Sequence, residues 1–520
     1  MINNYLKLII FTILLSTGNG ANILGIFPTA SFSHQQPLLA ISRALAAKGH
    51  KLTVITTNPS KSPIKNHRDV DISFMYDIFR NMSKNIEMDF QTRISAIQIV
   101  QNLPNFFEYL FISTMSSPEM QAFIKEINGT TYDLILFESL NYSGYLGFSE
   151  LVGNPPIIGI ITTHPSSTGD AMTGNPSLPS YIPSLILPHE HRMSFTERMA
   201  NFLMHCYMEY TRIRYLDPLN ERLLTRYFGA VKHTAYELER NVSLVIASAD
   251  LATGYPRPVN PNTVFVGPLH IQQQIPTLPQ EIQKWMDESE DGVVYFSLGS
   301  NMKGTSVPAE KRAAFIKAFS QFPTFRVLWK WESDEKLPGQ PDNVLTRKWL
   351  PQQSVLAHPK TRLFISQCGL QSLQEATTFG VPMMAIPMFG DQDYNAMKVA
   401  EAKAGIVVEF ADINYQVVYE TLNKLLKHSS YKENMMRLSK ITNDKPMPAL
   451  ETAVWWVEYV LRHSGAPHLT PVSLELYWFQ YLCLDVIAAL LLAAALPLAI
   501  VYYLLKFVIS KMFHKKVKTN

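Results

Sequence analysis

Residues 367–382, QCGLQSLQEATTFGVP, set Ser372 and Glu375 three positions apart behind Gly369, between the apolar runs at 363–365 and 383–386. In a helix that spacing puts both side chains on one face, while Leu370, Leu373 and Thr377 fall on another that can pack on a sheet. The amino end of such a helix presents unpaired N–H groups with partial positive charge, which suits a phosphate. Gly369 lets the ligand approach the backbone, Ser372 adds a hydroxyl donor, and Glu375, one turn deeper, can accept bonds from a pair of sugar hydroxyls. A surface helix that carries Ser and Glu without any ligand has the same pattern. Far away in the chain, FPTASFSHQQP places His34 in a loop just after an apolar run. An imidazole there is either a solvated surface group or a base whose pKa range suits proton transfer near neutrality.

The elements that must position these groups follow from hydrophobic periodicity. ANILGIF, QQPLLAISRALAAKGH and KLTVITT read as strand, helix and strand, so the two strands are expected to be parallel through a crossover. YDLILF, PPIIGII and SLVIAS continue the first half. After the Pro- and Gln-rich VGPLHIQQQIPTLP the pattern restarts with GVVYFSLGS, FRVLWKW, TRLFIS, PMMAIPM and AGIVVEF. Two α/β domains, each a doubly wound parallel sheet, are expected to face each other, and ligands in such sheets bind at the carboxyl ends of the strands. The expected layout is a signal peptide at 1–20, a first domain at 21–265, a linker at 266–285 and a second domain at 286–445. A returning helix and membrane-proximal segment at 446–484, a span at 485–505 and a basic tail at 506–520 complete it.

Composition narrows the classes. The chain has 520 residues, 47% of them apolar and 17% charged, which describes folded domains and excludes disorder. MINNYLKLIIFTILLSTGNG has the layout of a secretory signal. Residues 486–505 are 20 consecutive uncharged, mostly apolar positions, enough to cross a hydrocarbon layer of roughly 30 Å. Lys506, Lys511, Lys515, Lys516 and Lys518 follow with no acidic residue among them, which puts the tail in the cytosol and the body in the lumen. With those lysines and Lys7 set aside, 40 basic residues face 43 acidic ones, so charge gives no support to nucleic-acid binding. The closing KVKTN resembles a dilysine retrieval signal of endoplasmic-reticulum membrane proteins, although basic tails also serve as topology signals alone. Four glycosylation sequons start at Asn81, Asn128, Asn141 and Asn241. Cys206, Cys368 and Cys483 make neither a disulfide framework nor a thiolate metal site. G-x-G-x-x-G after the first strand of either half, the P-loop motif, G-x-S-x-G and H-E-x-x-H are all absent.

KWLPQQSVLAHP before the opening segment and FGDQDYN after it complete a longer pattern. Residues 349–395 closely resemble the signature of the animal UDP-glycosyltransferase family, and the resemblance extends over nearly the whole chain. It implies the GT-B architecture, two facing Rossmann-like domains, here with a C-terminal transmembrane helix. It implies a UDP-sugar donor, a small lipophilic acceptor, no metal and no further cofactor. By resemblance, Trp349 and Gln352 lie against the uridine, where an aromatic face can stack on the base. Glu375 matches the ribose-binding acid, Ser372, Gly369 and Ser300 the diphosphate contacts, and Asp391 with Gln392 the pair holding the sugar hydroxyls. Core packing for Trp349 and helix capping for Asp391 are the structural alternatives. His34 matches the catalytic base, and Glu138 the position where many relatives carry Asp to orient it.

The resemblance breaks at Gln367 and Cys368, where most members carry His and Gly. Gln can donate a hydrogen bond to a phosphate oxygen but never carries charge. The function expected is inverting transfer of a hexosyl group, glucose favoured and glucuronic acid the alternative, to a hydroxyl of the acceptor. A relative that binds UDP-sugar without turnover is the second reading. Acceptor choice is expected to lie within residues 60–240, rich in Met and aromatic rings. Localisation follows as the endoplasmic-reticulum membrane, single-pass, with a lumenal body; homo- and hetero-oligomers both remain compatible.

Overall fold

Runs rich in Ile, Val and Leu become the strands of two parallel sheets in the computed structural model, which describes residues 20–85, 94–300 and 302–517. The first sheet contains β1 (Asn22–Phe27), β2 (Lys51–Thr56), β3 (His67–Asp71), β4 (Leu134–Glu138), β5 (Ile157–Ile161), β6 (Val242–Ala247) and β7 (Thr263–Phe265). The second contains β8 (Gly292–Ser297), β9 (Phe325–Lys330), β10 (Val344–Arg347), β11 (Thr361–Ser366), β12 (Met383–Ala385) and β13 (Gly405–Val407). Their orders are β3-β2-β1-β4-β5-β6-β7 and β10-β9-β8-β11-β12-β13, with every strand pairing parallel. Both are doubly wound, and each reverses direction between its first and fourth strands in chain order. Those reversals, β1/β4 and β8/β11, are where such sheets open a crevice for a ligand.

Burial on both faces explains the continuous apolar strands. Every residue of β4, β5, β6, β8 and β12 is buried. Helix α1 (Phe32–Ala47) covers one face of the first sheet with Leu38, Leu39, Ile41 and Leu45. Four further helices matter for the site and its surroundings: α2 (Phe195–Thr211), α3 (Leu370–Thr378), α4 (Gln392–Glu401) and α5 (Ala449–Arg462). Although α5 follows the second sheet in sequence, its Val454, Val457 and Val460 share a core with α1, and Glu458 pairs with Lys48 at 3.0 Å. Residues 470–517 form a separate unit dominated by α6 (Leu484–Val517). Within it, Leu484–Lys511 is apolar and long enough to cross a membrane.

Several sequence expectations need correction. The strands not anticipated, β3, β7 and β10, are edge strands, short and partly polar, so they lack the apolar run that marks a buried strand. His34 sits in the first turn of α1, not in a loop; the helix begins at Phe32, and Pro37 falls inside it rather than near its start. A helix at Gln280–Asp287 interrupts the expected linker and buries Ile282 and Met286 under the second sheet. The apolar helix starts one residue before the expected span and continues past Leu505 to Val517. The signal peptide lies outside the described residues except for Gly20, as does Lys518 of the tail.

Candidate active site

At the first reversal, β4 delivers Glu138 and the start of α1 delivers His34. Glu138 is fully buried, and its Oε1 lies 3.1 Å from His34 Nδ1 while its Oε2 accepts the Thr29 N–H at 3.3 Å. Thr162, just after β5, places its Oγ1 2.8 Å from the same Nδ1. An ionised carboxylate draws the ring hydrogen to Nδ1, so the network assigns the free lone pair to Nε2. The longer Glu side chain therefore reaches the imidazole, and the dyad closes.

His34 lines a cavity of about 830 Å³ on the first half. Its walls include Phe79, Leu103, Phe106, Phe107, Leu140 and Met208, and Asp391 from the second half stands on the same cavity. Asp391 occupies the N-cap position of α4 without capping it; its Oδ2 instead accepts from Asn395 Nδ2 at 3.1 Å. Desolvation pushes its carboxyl above the ordinary aspartate range, against the opposing pull of Asn395 and His34. Gln392 does not share this place on the cavity wall. It is buried, its Oε1 takes the N–H groups of Met388 and Phe389 at 2.8 and 3.2 Å, and it lines neither this cavity nor the next. Of the expected pair, only Asp391 reaches a cavity wall; backbone donors occupy the oxygen of Gln392.

The second reversal forms a smaller cavity of about 300 Å³. Ser300 after β8, Trp349 and Gln352, and Gln367, Gly369, Ser372 and Glu375 at α3 all line it. Gly369 is the N-cap of α3 and provides no side-chain cap, so the first N–H groups of the helix are open to a ligand. Gln352 Nε2 donates to Ser372 Oγ at 3.1 Å and to Glu375 Oε2 at 2.7 Å, while its own Oε1 accepts from Tyr295 Oη at 3.1 Å. Trp349 is 55% exposed, so it is no core residue. Phe32 braces its ring edge-on at 5.1 Å between centroids, and Lys330 Nζ lies 5.7 Å from its centre. Gln367 is buried, and its Oε1 finds no hydrogen-bond partner among the described residues. Cys368 holds φ at 63°, a left-handed conformation that glycine adopts more readily than a residue with a side chain. Burial pushes its thiol up, so it stays neutral.

Several members of the site carry no motif signal. Gln353 Nε2 donates to Glu375 Oε1 at 3.3 Å, and His270 Nε2 lies 3.3 Å from the same oxygen without a hydrogen bond to it, so a belt of side chains surrounds the carboxylate. Lys330 donates to Gly299 O at 2.9 Å and Glu332 Oε1 at 2.7 Å on the wall of the smaller cavity. Gly299 has φ of 78°, in the left-handed region, so the SLGS turn favours glycine there. A doubled Gln after a Pro, and a Lys closing an apolar strand, were the only hints available. The halves are tied together around the site: Gln371 Nε2 donates to Thr162 O at 2.9 Å and Gln374 Nε2 to Ser248 O at 2.8 Å. Among the described residues no group of three or more His, Cys, Asp or Glu is placed to hold a metal ion.

Two facing doubly wound sheets, with a His–Glu pair on one and an uncapped helix end on the other, have the architecture of a GT-B glycosyltransferase. Solved structures agree on the fold. The glycotransferase of kitacinnamycin has a TM-score of 0.56 at 18% identity, covering 85% of this chain and 100% of that one. For the calicheamicin glycosyltransferase CalG4 the TM-score is 0.55 at 17% identity, with 86% and 99% covered. Sequence relatives are nearer. UDP-glycosyltransferase UGT5 of Dactylopius coccus is 36% identical, covering 95% of this chain and 93% of that one. UDP-glucosyltransferase 2 of the same organism is 33% identical, with 99% of each covered. UDP-glucuronosyltransferase 1A3 of Homo sapiens is 31% identical, with 91% and 88% covered. Residues 23–519 match the family model described as UDP-glucoronosyl and UDP-glucosyl transferase, and the chain belongs to that family.

Proposed function

We propose that the protein moves a hexosyl group from a UDP-sugar to a hydroxyl of a small lipophilic acceptor, inverting the anomeric centre. The observation that carries this reading is the His34–Glu138 pair opening on the apolar cavity that Asp391 also lines. His34 Nε2 takes the acceptor proton as the acceptor oxygen forms its bond to the anomeric carbon. The bond from that carbon to the diphosphate oxygen breaks, and its electron pair leaves with UDP. Glu138 stabilises the imidazolium that forms. Open N–H groups at α3, with Ser372 and Ser300, supply fixed donors where charge develops on the leaving group. Gln367 adds a neutral donor there. Attack from the side opposite the diphosphate turns an α-linked donor into a β-glycoside.

Trp349 offers its exposed ring to the uracil and Glu375 its carboxylate to the ribose. Held by Gln352 and Gln353, that carboxylate still has accepting capacity left. Asp391 receives sugar hydroxyls. Glucose is the favoured sugar, because the Lys and Arg that line the cavities among the described residues are already paired: Lys330 with Glu332, and Arg257 with Asp170 at 3.5 Å. A glucuronate carboxylate would find no free partner in either. The apolar cavity suits ring systems such as phenols and sterols. One span at α6 and a lumenal body at the endoplasmic-reticulum membrane complete the reading. Its test is a panel of UDP-sugars offered with a mixed library of phenols and sterols, with mass detection of UDP and product. UDP-glucose is expected to give product; release of UDP without glycoside from every donor would refute acceptor transfer.

A further inference from the structure

Helix α2 has one face on the larger cavity and an exposed apolar stripe on the opposite face. Its inner face buries Asn201, Met204 and Thr211, and Asn201, His205 and Met208 line the larger cavity. Its outer face carries Phe195, Met199, Phe202 and Tyr210, continued by Ile213 in the following turn, each between 50% and 71% exposed. These positions step by four, three, eight and three residues, which keeps them in one stripe along the helix. Leu203 and Tyr215 widen it, at 59% and 50% exposed. Soluble monomers rarely leave a contiguous apolar surface of that kind uncovered.

We propose that this stripe lies in the surface of a lipid bilayer. The inference rests on the reading of α6 as a membrane span. Fourteen residues, 470–483, separate the body from the apolar helix, so the chain's own length keeps the body within about 50 Å of a bilayer. The stripe mixes aromatic rings with aliphatic side chains, and exposed Arg198 and Arg214 flank it, which is the composition of an interfacial helix. Its opposite face is a wall of the cavity assigned to lipophilic acceptors. Only the thickness of one helix, about 10 Å, then separates that cavity from the phase in which such acceptors dissolve.

The test uses the full chain with Cys206→Ser and Cys483→Ser, and a fluorophore on a single new cysteine at Phe202, Ile213, Leu491 or Glu420. Each variant is first shown to bind UDP in detergent, then placed in phosphatidylcholine vesicles with brominated acyl chains. Labels at 202 and 213 are expected to be quenched by the bromolipid several-fold more than at exposed Glu420, approaching the label at 491 in α6, and to resist aqueous iodide. Quenching at 491 with labels 202 and 213 behaving like 420 would overturn the inference alone. Absence of quenching at 491 would overturn the span and the inference together. Shielding of 202 and 213 from both quenchers, growing with the protein-to-lipid ratio, would mean that a second copy covers the stripe and would likewise overturn it.

Discussion

Asp391, the proposed sugar-binding residue, works against stability. Its carboxyl is pushed above the ordinary value of 3.8 chiefly by desolvation, with Asn395 and His34 only partly compensating. Between that value and its raised folded value, the unfolded chain has lost the proton while the folded one keeps it. Stability therefore falls as pH rises through this window, and the penalty is complete above it. Asp391→Asn removes the penalty: the variant is expected to melt higher than wild type at pH 7, with the difference vanishing below the ordinary carboxylate range, while transfer activity drops. Thermal scans across pH check this, and equal melting shifts at every pH would refute the electrostatic cause. Gln367 is the complementary case. Where a His would bring a titratable group, this chain keeps a neutral amide, so Gln367 adds no titration of its own to the smaller cavity.

Elements explain which parts of the site the sequence disclosed. Ser372, Glu375 and Gly369 were legible because a strand, a turn and a helix follow each other within residues 361–378, and local spacing decides their geometry. His34 was legible as a candidate, but not its setting. A Pro six residues into α1 disguises the true helix start, so the first turn read as a loop. The belt around Glu375 stayed hidden for another reason: Gln353 and His270 are separated from it by 22 and about 105 positions, and only the folded path of the interdomain segment brings His270 there. Edge strands β3, β7 and β10 were missed because an edge buries too little to demand an apolar run. The aromatic wall gives a prediction at this scale. Trp349 is braced by Phe32 across the cleft, so its ring is held ready for a base. Trp349→Ala is expected to weaken UDP binding by about 1–3 kcal/mol without altering the fold. Calorimetric titration with UDP reads it, and unchanged affinity would move the uracil elsewhere.

At the scale of the whole molecule, the proposed reading divides the labour of one reaction between the two sheets. The first brings base and acceptor cavity to its reversal point, the second brings donor cavity and helix end to its own, and contacts such as Tyr394 Oη accepting from the Tyr255 N–H at 3.3 Å join them. Neither half holds all the groups that transfer requires. The division implies that binding and chemistry can be separated by a single side chain. His34→Ala leaves α3, Trp349 and Glu375 in place and removes only the proton acceptor. Single-turnover transfer by the purified, detergent-solubilised chain, measured beside UDP affinity, is the decisive comparison. The account predicts that His34→Ala slows glycoside formation by about 10²- to 10⁴-fold while UDP binds as in wild type. Equal rates of glycoside formation in the two proteins would contradict it.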